Sequence, residues 1–365
     1  MNMERATIKP KIAVVIPCFR VRNQILSVLA AIGPEISAIY VIDDQCPDQS
    51  GNLVLQESRD PRVKVSIHKE NKGVGGAVMT GYQAALSDGA DIVVKVDGDG
   101  QMDPSLIADL IHPIVTGRAD YTKGNRFYSI YYVRDMPRMR LLGNAALSFM
   151  TKISSGYWSI FDPTNGFTAI HRTALSRLEL RNISERYFFE SDMLINLGNI
   201  RAVVSDVPME AKYEEEESNL KIRDVVGQFF TSNIRETTKR VLYNYFMRDF
   251  SLASAQLAIG ILFLLFGVLF GTYNWYLSMS MGDTATTGTV MIATLPIILG
   301  FQLVLAFLGF DMGNEPKTVL HEPRRRRNDH LDADIAGTAR NEAADRVIHV
   351  SCARGIICPR KPSDI

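Results

Sequence analysis

The chain has 365 residues, 46% of them hydrophobic, enough for one large α/β domain with added elements and too apolar for a disordered chain. Forty Lys and Arg balance forty Asp and Glu, so bulk charge gives no footprint for nucleic acid. Four cysteines, Cys18, Cys46, Cys352 and Cys358, have neither the number nor the spacing of a disulfide framework or a zinc site, which fits a reducing, cytosolic setting.

In chain order, residues 1–10 form a leader. IAVVIP is too short for a signal peptide and ends at a proline, so it reads as a strand. Short β-branched runs then alternate with amphipathic stretches, the pattern of βαβ units around a mainly parallel sheet. The expected strands are Lys11–Pro17, Ala38–Ile42, Val63–His68 and Asp91–Asp97. The expected helices are Arg22–Ala31, Asp48–Ser58, Gly75–Ser87 and Pro104–Thr116. In such a sheet ligands bind beyond the carboxyl ends of the strands, where IPCF, IDDQ and DGDGQ all fall.

DGDGQ carries Asp97, Asp99 and Gln101 directly after an apolar strand. Two carboxylates so close repel each other, and Mg2+ or Mn2+ would relieve this while joining them to substrate phosphates. D-x-D alone is a weak pattern that a solvated turn also explains; an EF-hand needs more regularly spaced oxygens, and here Pro104 opens a helix instead. After the second strand, Asp43 and Asp44 offer carboxylates to a base or ribose, while Asp48 or Ser50 can cap the next helix. ENKGVGGAVMTGY lacks the G-K-[ST] ending of a P-loop, so it reads as a tight turn followed by close helix packing, with Lys72 either solvated or touching phosphate.

Between Ser218 and Asp249 apolar residues recur among Arg223, Arg235, Lys239, Arg240 and Arg248. That is the pattern of a basic amphipathic helix on a membrane surface, with an ordinary core-facing helix as the alternative. Ser251–Gly271 and Val290–Phe310 are uncharged and each near the ~20 residues that cross a bilayer. The segment between them, Thr272–Thr289, has Asp283 but no Lys or Arg, whereas Arg248 precedes the pair and Lys317 and Arg324–Arg327 follow it. The positive-inside bias makes this a hairpin with both ends cytoplasmic and Tyr273, Trp275 and Tyr276 at the far interface. The hairpin also offers a surface for self-association. Residues 311–365 turn polar and read as a disordered tail whose arginine run sets topology or meets anionic lipids.

Taken together, IPCF, IDDQCPD, NKGVGGAVMTGY, DGDGQMDP, KGNRF, DPTNGFTAIHR and FFESDM resemble, in order and spacing, the family 2 inverting glycosyltransferases of GT-A fold. The resemblance is to their polyprenyl-phosphate branch, and covers roughly Lys11 to Phe310. It implies a GT-A domain over 11–217, amphipathic helices over 218–250, transmembrane helices over 251–271 and 290–310, and a multi-pass protein of the cytoplasmic membrane. It also implies a nucleotide-sugar donor (UDP or GDP), a polyisoprenyl phosphate acceptor, contact with membrane lipids and metal dependence. By position, Pro17, Phe19, Ile42 and Asp44 would line the nucleotide site, with Gly98 against the donor and Asp97, Asp99 and Gln101 as metal ligands. Arg126 would face the sugar diphosphate or the acceptor phosphate, and Arg138 and Arg140 would clamp the lipid phosphate unless they sit in a solvated loop.

Asp162, and Glu190 with Asp192, fall where the family has acidic residues near the reacting carbon. A phosphate acceptor is already ionised near neutral pH, so Asp162 and Asp192 are assigned mainly to positioning, with base catalysis open. The sequence departs from the pattern in two places. KYEEEESNLK is acidic where relatives often carry a diphosphate-holding cation, leaving Lys212 and Lys221 as substitutes, and Val21 stands where relatives commonly have Glu. No Q-x-x-R-W occurs, which argues against a processive synthase. Two alternatives stay open: a lipid-linked saccharide or diacylglycerol acceptor, and a non-catalytic membrane scaffold with a degenerate transferase domain.

Overall fold

The computed structural model describes residues 9–128, 138–186, 188–209 and 222–321, the side chains of 138–140, 142, 222–226 and 228 excepted. The expectation of a disordered tail over 311–365 fails for its first residues: the last helix runs to Gly313, the Leu320 N–H donates to Asp120 at 2.8 Å and the His321 ring is buried against the same carboxylate, while the arginine run lies outside the described residues.

A seven-stranded sheet forms the centre, in the order β3-β2-β1-β4-β6-β5-β7. The strands are β1 (Ile12–Cys18), β2 (Ala38–Asp43), β3 (Val63–Ile67), β4 (Ile92–Lys95), β5 (Tyr121–Asn125), β6 (Thr168–His171) and β7 (Val204–Pro208). All neighbouring pairs are parallel except those made by β6, which runs antiparallel to both β4 and β5. The mainly parallel α/β layout expected from the sequence is therefore present. The carboxyl ends of β1, β2, β4 and β5 and the start of β6 share one edge.

Period-two alternation explains why helices cover both faces. Ala13 and Val15 of β1 face one apolar cluster, and Ile12, Val14 and Ile16 face the other. On the second face lie α1 (Ile25–Ala31) and α4 (Ile107–Val115, entered through a 3-10 turn at Pro104–Leu106); α3 (Val74–Ser87) covers the first. The short α2 (Ser50–Glu57) links β2 to β3. Gly73 begins α3 with φ of +90°, a conformation disfavoured for L side chains, and a Cβ on Gly81 would lie 2.3 Å from Val15. Both glycines thus serve the tight turn and close helix packing expected of this stretch.

Beyond β5 come α5 (Arg138–Ser155), α6 (Arg172–Arg177), α7 (Phe189–Asn199) and α8 (Ile222–Leu242), the last running into a π-helical turn at Tyr243–Arg248. Two helices long and apolar enough to cross a membrane follow, α9 (Leu252–Met281) and α10 (Thr287–Gly313). α9 extends ten residues past the expected limit at Gly271, because no helix breaker intervenes before Gly282, whose φ of +72° ends the helix. The link between the two is therefore only residues 282–286. They pack through small residues: a Cβ on Gly267 would sit 2.8 Å from the Ala293 carbonyl, and one on Gly260 would sit 3.0 Å from that of Gly300.

The end of this helix pair is tied to the α/β domain. Asp311, 3% exposed near the end of α10, accepts two bonds from Arg240 of α8, at 2.7 and 3.0 Å, and others from Tyr245 and Trp158. Arg240 also donates to the Ile153 carbonyl of α5 at 2.8 Å. One face of α8 is thus core-facing, as in the alternative reading of this segment. Phe230, Ile234 and Leu242 remain exposed on the rest of it, as does Tyr243 in the turn that follows.

Candidate active site

β4 ends in KVDGDGQ. Since side chains two apart share a face of a strand, Lys95 and Asp97 point the same way. Lys95, 1% exposed, places Nζ 2.6 Å from Asp97 Oδ1, 3.2 Å from the Gly166 carbonyl and 3.8 Å from Glu190 Oε1. A row away, Lys123 of β5 is also fully buried and donates to the Asn165 carbonyl. Both lysines lie opposite Thr168 of β6, one on each side, so the register itself brings them together.

The charges around this pair shape one another. Burial opposes the charge on Lys95, but Asp97 and Glu190 outweigh it and hold its pKa above the ordinary lysine value. Lys123, with less compensation, is pushed down by burial to about 8. Burial raises the pKa of Glu190, against the pull of both lysines. Asp206 of β7 is raised by burial to about 6 while accepting from Asn125 and from the Phe161 N–H.

Asp97 and Asp99 are both partly exposed at the sheet edge, and Asp99 Oδ1 accepts the Gln101 N–H at 3.0 Å. Gly98 lies against Val21, whose Cγ2 would be 3.1 Å from an added Cβ. Among the described residues no three His, Cys, Asp or Glu side chains form a closed cation cage. The donor set at DGDGQ instead suits Mg2+ or Mn2+, which commonly takes one or two carboxylates and completes its shell with substrate phosphates and water.

On the other side of the edge, Arg126 follows β5 and is aligned by Asp162. The carboxylate, 0% exposed, takes Nε at 2.7 Å and Nη2 at 3.0 Å, fixing the plane of the guanidinium. Asp192 is buried in α7 and accepts from the Ser184 N–H at 2.7 Å and from Asn196. It thereby organises the loop before α7, whereas its neighbour Glu190 reaches the Lys95–Lys123 pair. Sequence reasoning passed over both lysines, although a lysine inside the apolar run DIVVKV is a readable signal.

Of the expected nucleotide-site residues, Pro17 and Ile42 are register partners at the ends of β1 and β2. Phe19 is exposed and Ile42 is buried. Asp44 is buried, and its oxygens accept from His68 Nδ1 and from the Lys72 and Gly73 N–H groups at 2.7–2.9 Å, so it builds the NKG turn. Arg138 and Arg140 lie in the first turn of α5 rather than a loop, with side chains outside the described set. Lys212 and Lys221 lie outside the described residues.

Residues 13–179 match the family model described as glycosyl transferase family 2. Over that stretch, a little under half of its length, the chain is similar to the family 2 glycosyltransferases. Several of its relatives carry dolichyl-phosphate, dolichol-phosphate or polyprenol in their names. It is 36% identical over 148 residues to UDP-N-acetylglucosamine–dolichyl-phosphate N-acetylglucosaminyltransferase of Methanococcus voltae, covering 40% of this chain and 59% of that one. It is 28% identical over 244 residues to polyprenol monophosphomannose synthase of Mycolicibacterium smegmatis, covering 65% of this chain and 88% of that one. Among solved structures, glucosyl-3-phosphoglycerate synthase from Mycobacterium tuberculosis with Mn2+, UDP and glucosyl-3-phosphoglycerate gives a TM-score of 0.49 at 18% identity, covering 63% of this chain and 80% of that one.

Proposed function

We propose that this protein transfers a hexose, with inversion, from a UDP- or GDP-sugar to a polyisoprenyl phosphate at the cytoplasmic face of a membrane that α9 and α10 span. One observation carries the reading: an acidic sheet edge at Asp97 and Asp99 and an aligned cation at Arg126 sit in a domain tied through Arg240 and Asp311 to two apolar helices. The names of the relatives support the acceptor class, and the lack of Lys or Arg in the link between α9 and α10 supports the orientation.

In this reading an oxygen of the lipid phosphate attacks the anomeric carbon as its bond to the diphosphate breaks. The phosphate is already ionised, so no carboxylate has to remove a proton. A divalent cation held by Asp97 and Asp99, with Gln101 beside them, would neutralise charge on the leaving nucleoside diphosphate. Lys95 fixes the Asp97 carboxylate from below. Arg126, oriented by Asp162, draws a second anion to the same edge, and Arg138 and Arg140 stand at the start of α5 to assist it. Pro17, Phe19 and Gly98 form the nucleotide side, backed by the buried Ile42 and by the turn that Asp44 holds. Holding two anions in line supplies orientation and electrostatic stabilisation. Incubating the purified full chain with UDP- and GDP-sugars, polyprenyl phosphate and Mg2+ or Mn2+, then weighing the lipid product, tests this directly. A hexosyl phospholipid is expected; hydrolysis of the donor alone would contradict the acceptor.

A further inference from the structure

The site accounts for the phosphate of a lipid acceptor, but a row of exposed and half-buried rings beside it has no part in that account. Arg126 stacks over Phe127 at 6.0 Å, and Phe127 meets Phe161 edge-on at 5.5 Å. Lys152 of α5 lies 5.4 Å over the Phe161 ring and donates to the Trp158 carbonyl. Trp158 packs edge-on against Phe149 at 6.3 Å, and its indole N–H reaches Asp311 near the end of α10 at 2.9 Å. Phe149 is 57% and Phe161 37% exposed. The contacts run without a break from the aligned guanidinium to the end of the apolar helix pair.

Phe149 and Phe161, joined through Lys152 and the half-buried Phe127 and Trp158, leave apolar surface open to solvent unless something covers it. Both ends of the row say what that occupant is. One end is a cation suited to a phosphate, and the other is the place where the chain's apolar helices meet the domain. A molecule that fits has an anionic head and a hydrocarbon tail leading towards the bilayer.

We propose that Phe127, Phe161, Trp158 and Phe149 form a ramp on which the first isoprene units of the acceptor lie, guiding its phosphate out of the bilayer to Arg126. This rests on the lipid-phosphate reading above and adds the path that the lipid takes. Unsaturated, methyl-branched isoprene units suit aromatic faces, which provide large apolar area at little conformational cost. Lys152, between the two ring pairs, carries a pKa lowered by burial, consistent with a cation held against apolar surroundings.

The test uses the full chain in detergent with farnesyl phosphate, whose three isoprene units reach the ramp without needing a bilayer. Phe149→Ser combined with Phe161→Ser is expected to raise the KM for farnesyl phosphate about tenfold, with the KM for the nucleotide-sugar within about twofold of wild type. Phe149→Leu with Phe161→Leu should recover most of the loss, since the ramp needs apolar surface. An unchanged farnesyl KM in the serine variant overturns the proposal. So does a rise in the donor KM instead, which would make the rings a sugar platform, or an equal loss for both substrates with a lowered Tm, which would make them structural. If the wild-type protein transfers sugar to neither farnesyl nor long-chain polyprenyl phosphate, the acceptor reading itself fails, a result distinct from all of these.

Discussion

Lys95 and Asp97, two residues apart on one strand, form a 2.6 Å ion pair whose cation is buried beneath the sheet edge and whose anion faces the open site. The lysine is enclosed by Asp97, Glu190 and the Gly166 carbonyl, so its charge is held in place. In most strands a buried lysine would be a fault. Here it stabilises an acidic cluster that would otherwise repel itself.

Replacing Lys95 with Met removes that counter-charge while keeping much of the volume. Glycosyl transfer is expected to fall by roughly 10–100-fold through a weakened response to divalent cation. Titrating Mg2+ or Mn2+ against initial rate checks this: the half-saturating concentration should rise. An unaltered metal dependence would leave Lys95 as a structural residue only.

Asp99→Asn keeps the shape of the DGDGQ turn and removes one anionic oxygen donor. Turnover is expected to drop by roughly 10²-fold or more, with the melting temperature nearly unchanged because Asp99 is partly exposed. Steady-state rates and a thermal melt read the two quantities separately. Full activity in this variant would rule Asp99 out of the site.

The Arg240–Asp311 pair ties the α/β domain to the apolar helices. Asp311→Asn leaves a buried guanidinium without its carboxylate, a change that typically costs about 3–5 kcal/mol. Thermal unfolding in detergent should show a marked fall in Tm. Because Arg240 also holds the Ile153 carbonyl of α5, use of long-chain acceptor should suffer more than donor binding.

Asp206 links pH to stability. Its folded pKa of about 6 exceeds the ordinary 3.8, so the folded state favours the protonated form. The stabilisation is complete below about pH 4 and is withdrawn as pH rises through 6, leaving a buried anion at pH 7 and above. Asp206→Asn removes this dependence. The difference in stability between variant and wild type should therefore move in the variant's favour by about 1.4 kcal/mol between pH 5 and pH 7.5. Melts at the two pH values test the change, because pH-independent effects of the amide cancel between them. A constant difference would mean that Asp206 ionises normally.

Much of this was legible in the sequence because local chemistry decided it. β1, β2 and β4 are apolar runs that give way to polar residues near Cys18, Asp43 and Asp97, and the glycines of NKGVGG mark a turn and a close helix contact. β5, β6 and β7 escaped because they are four or five residues long and carry Lys123, Thr168 and Asp206, which do not look like core until tertiary partners surround them. α5 escaped for a similar reason, since MPRMR reads as a polar loop. Arg240 counted as one more surface cation in a basic helix, because nothing local reveals a partner 71 residues away. Asp44 shows the converse: its place after β2 was evident, but not that three donors across the loop occupy its oxygens.

The central claim is that the acidic edge and the aligned arginine unite a metal-bound sugar nucleotide with a lipid phosphate. Mass analysis of the lipid fraction, after the purified full chain has met nucleotide-sugar, divalent cation and polyprenyl phosphate, tests it most directly. The account predicts a lipid heavier by one hexosyl unit, formed with inverted configuration and abolished by EDTA. A lipid fraction of unchanged mass, from protein that still binds the donor, would contradict it.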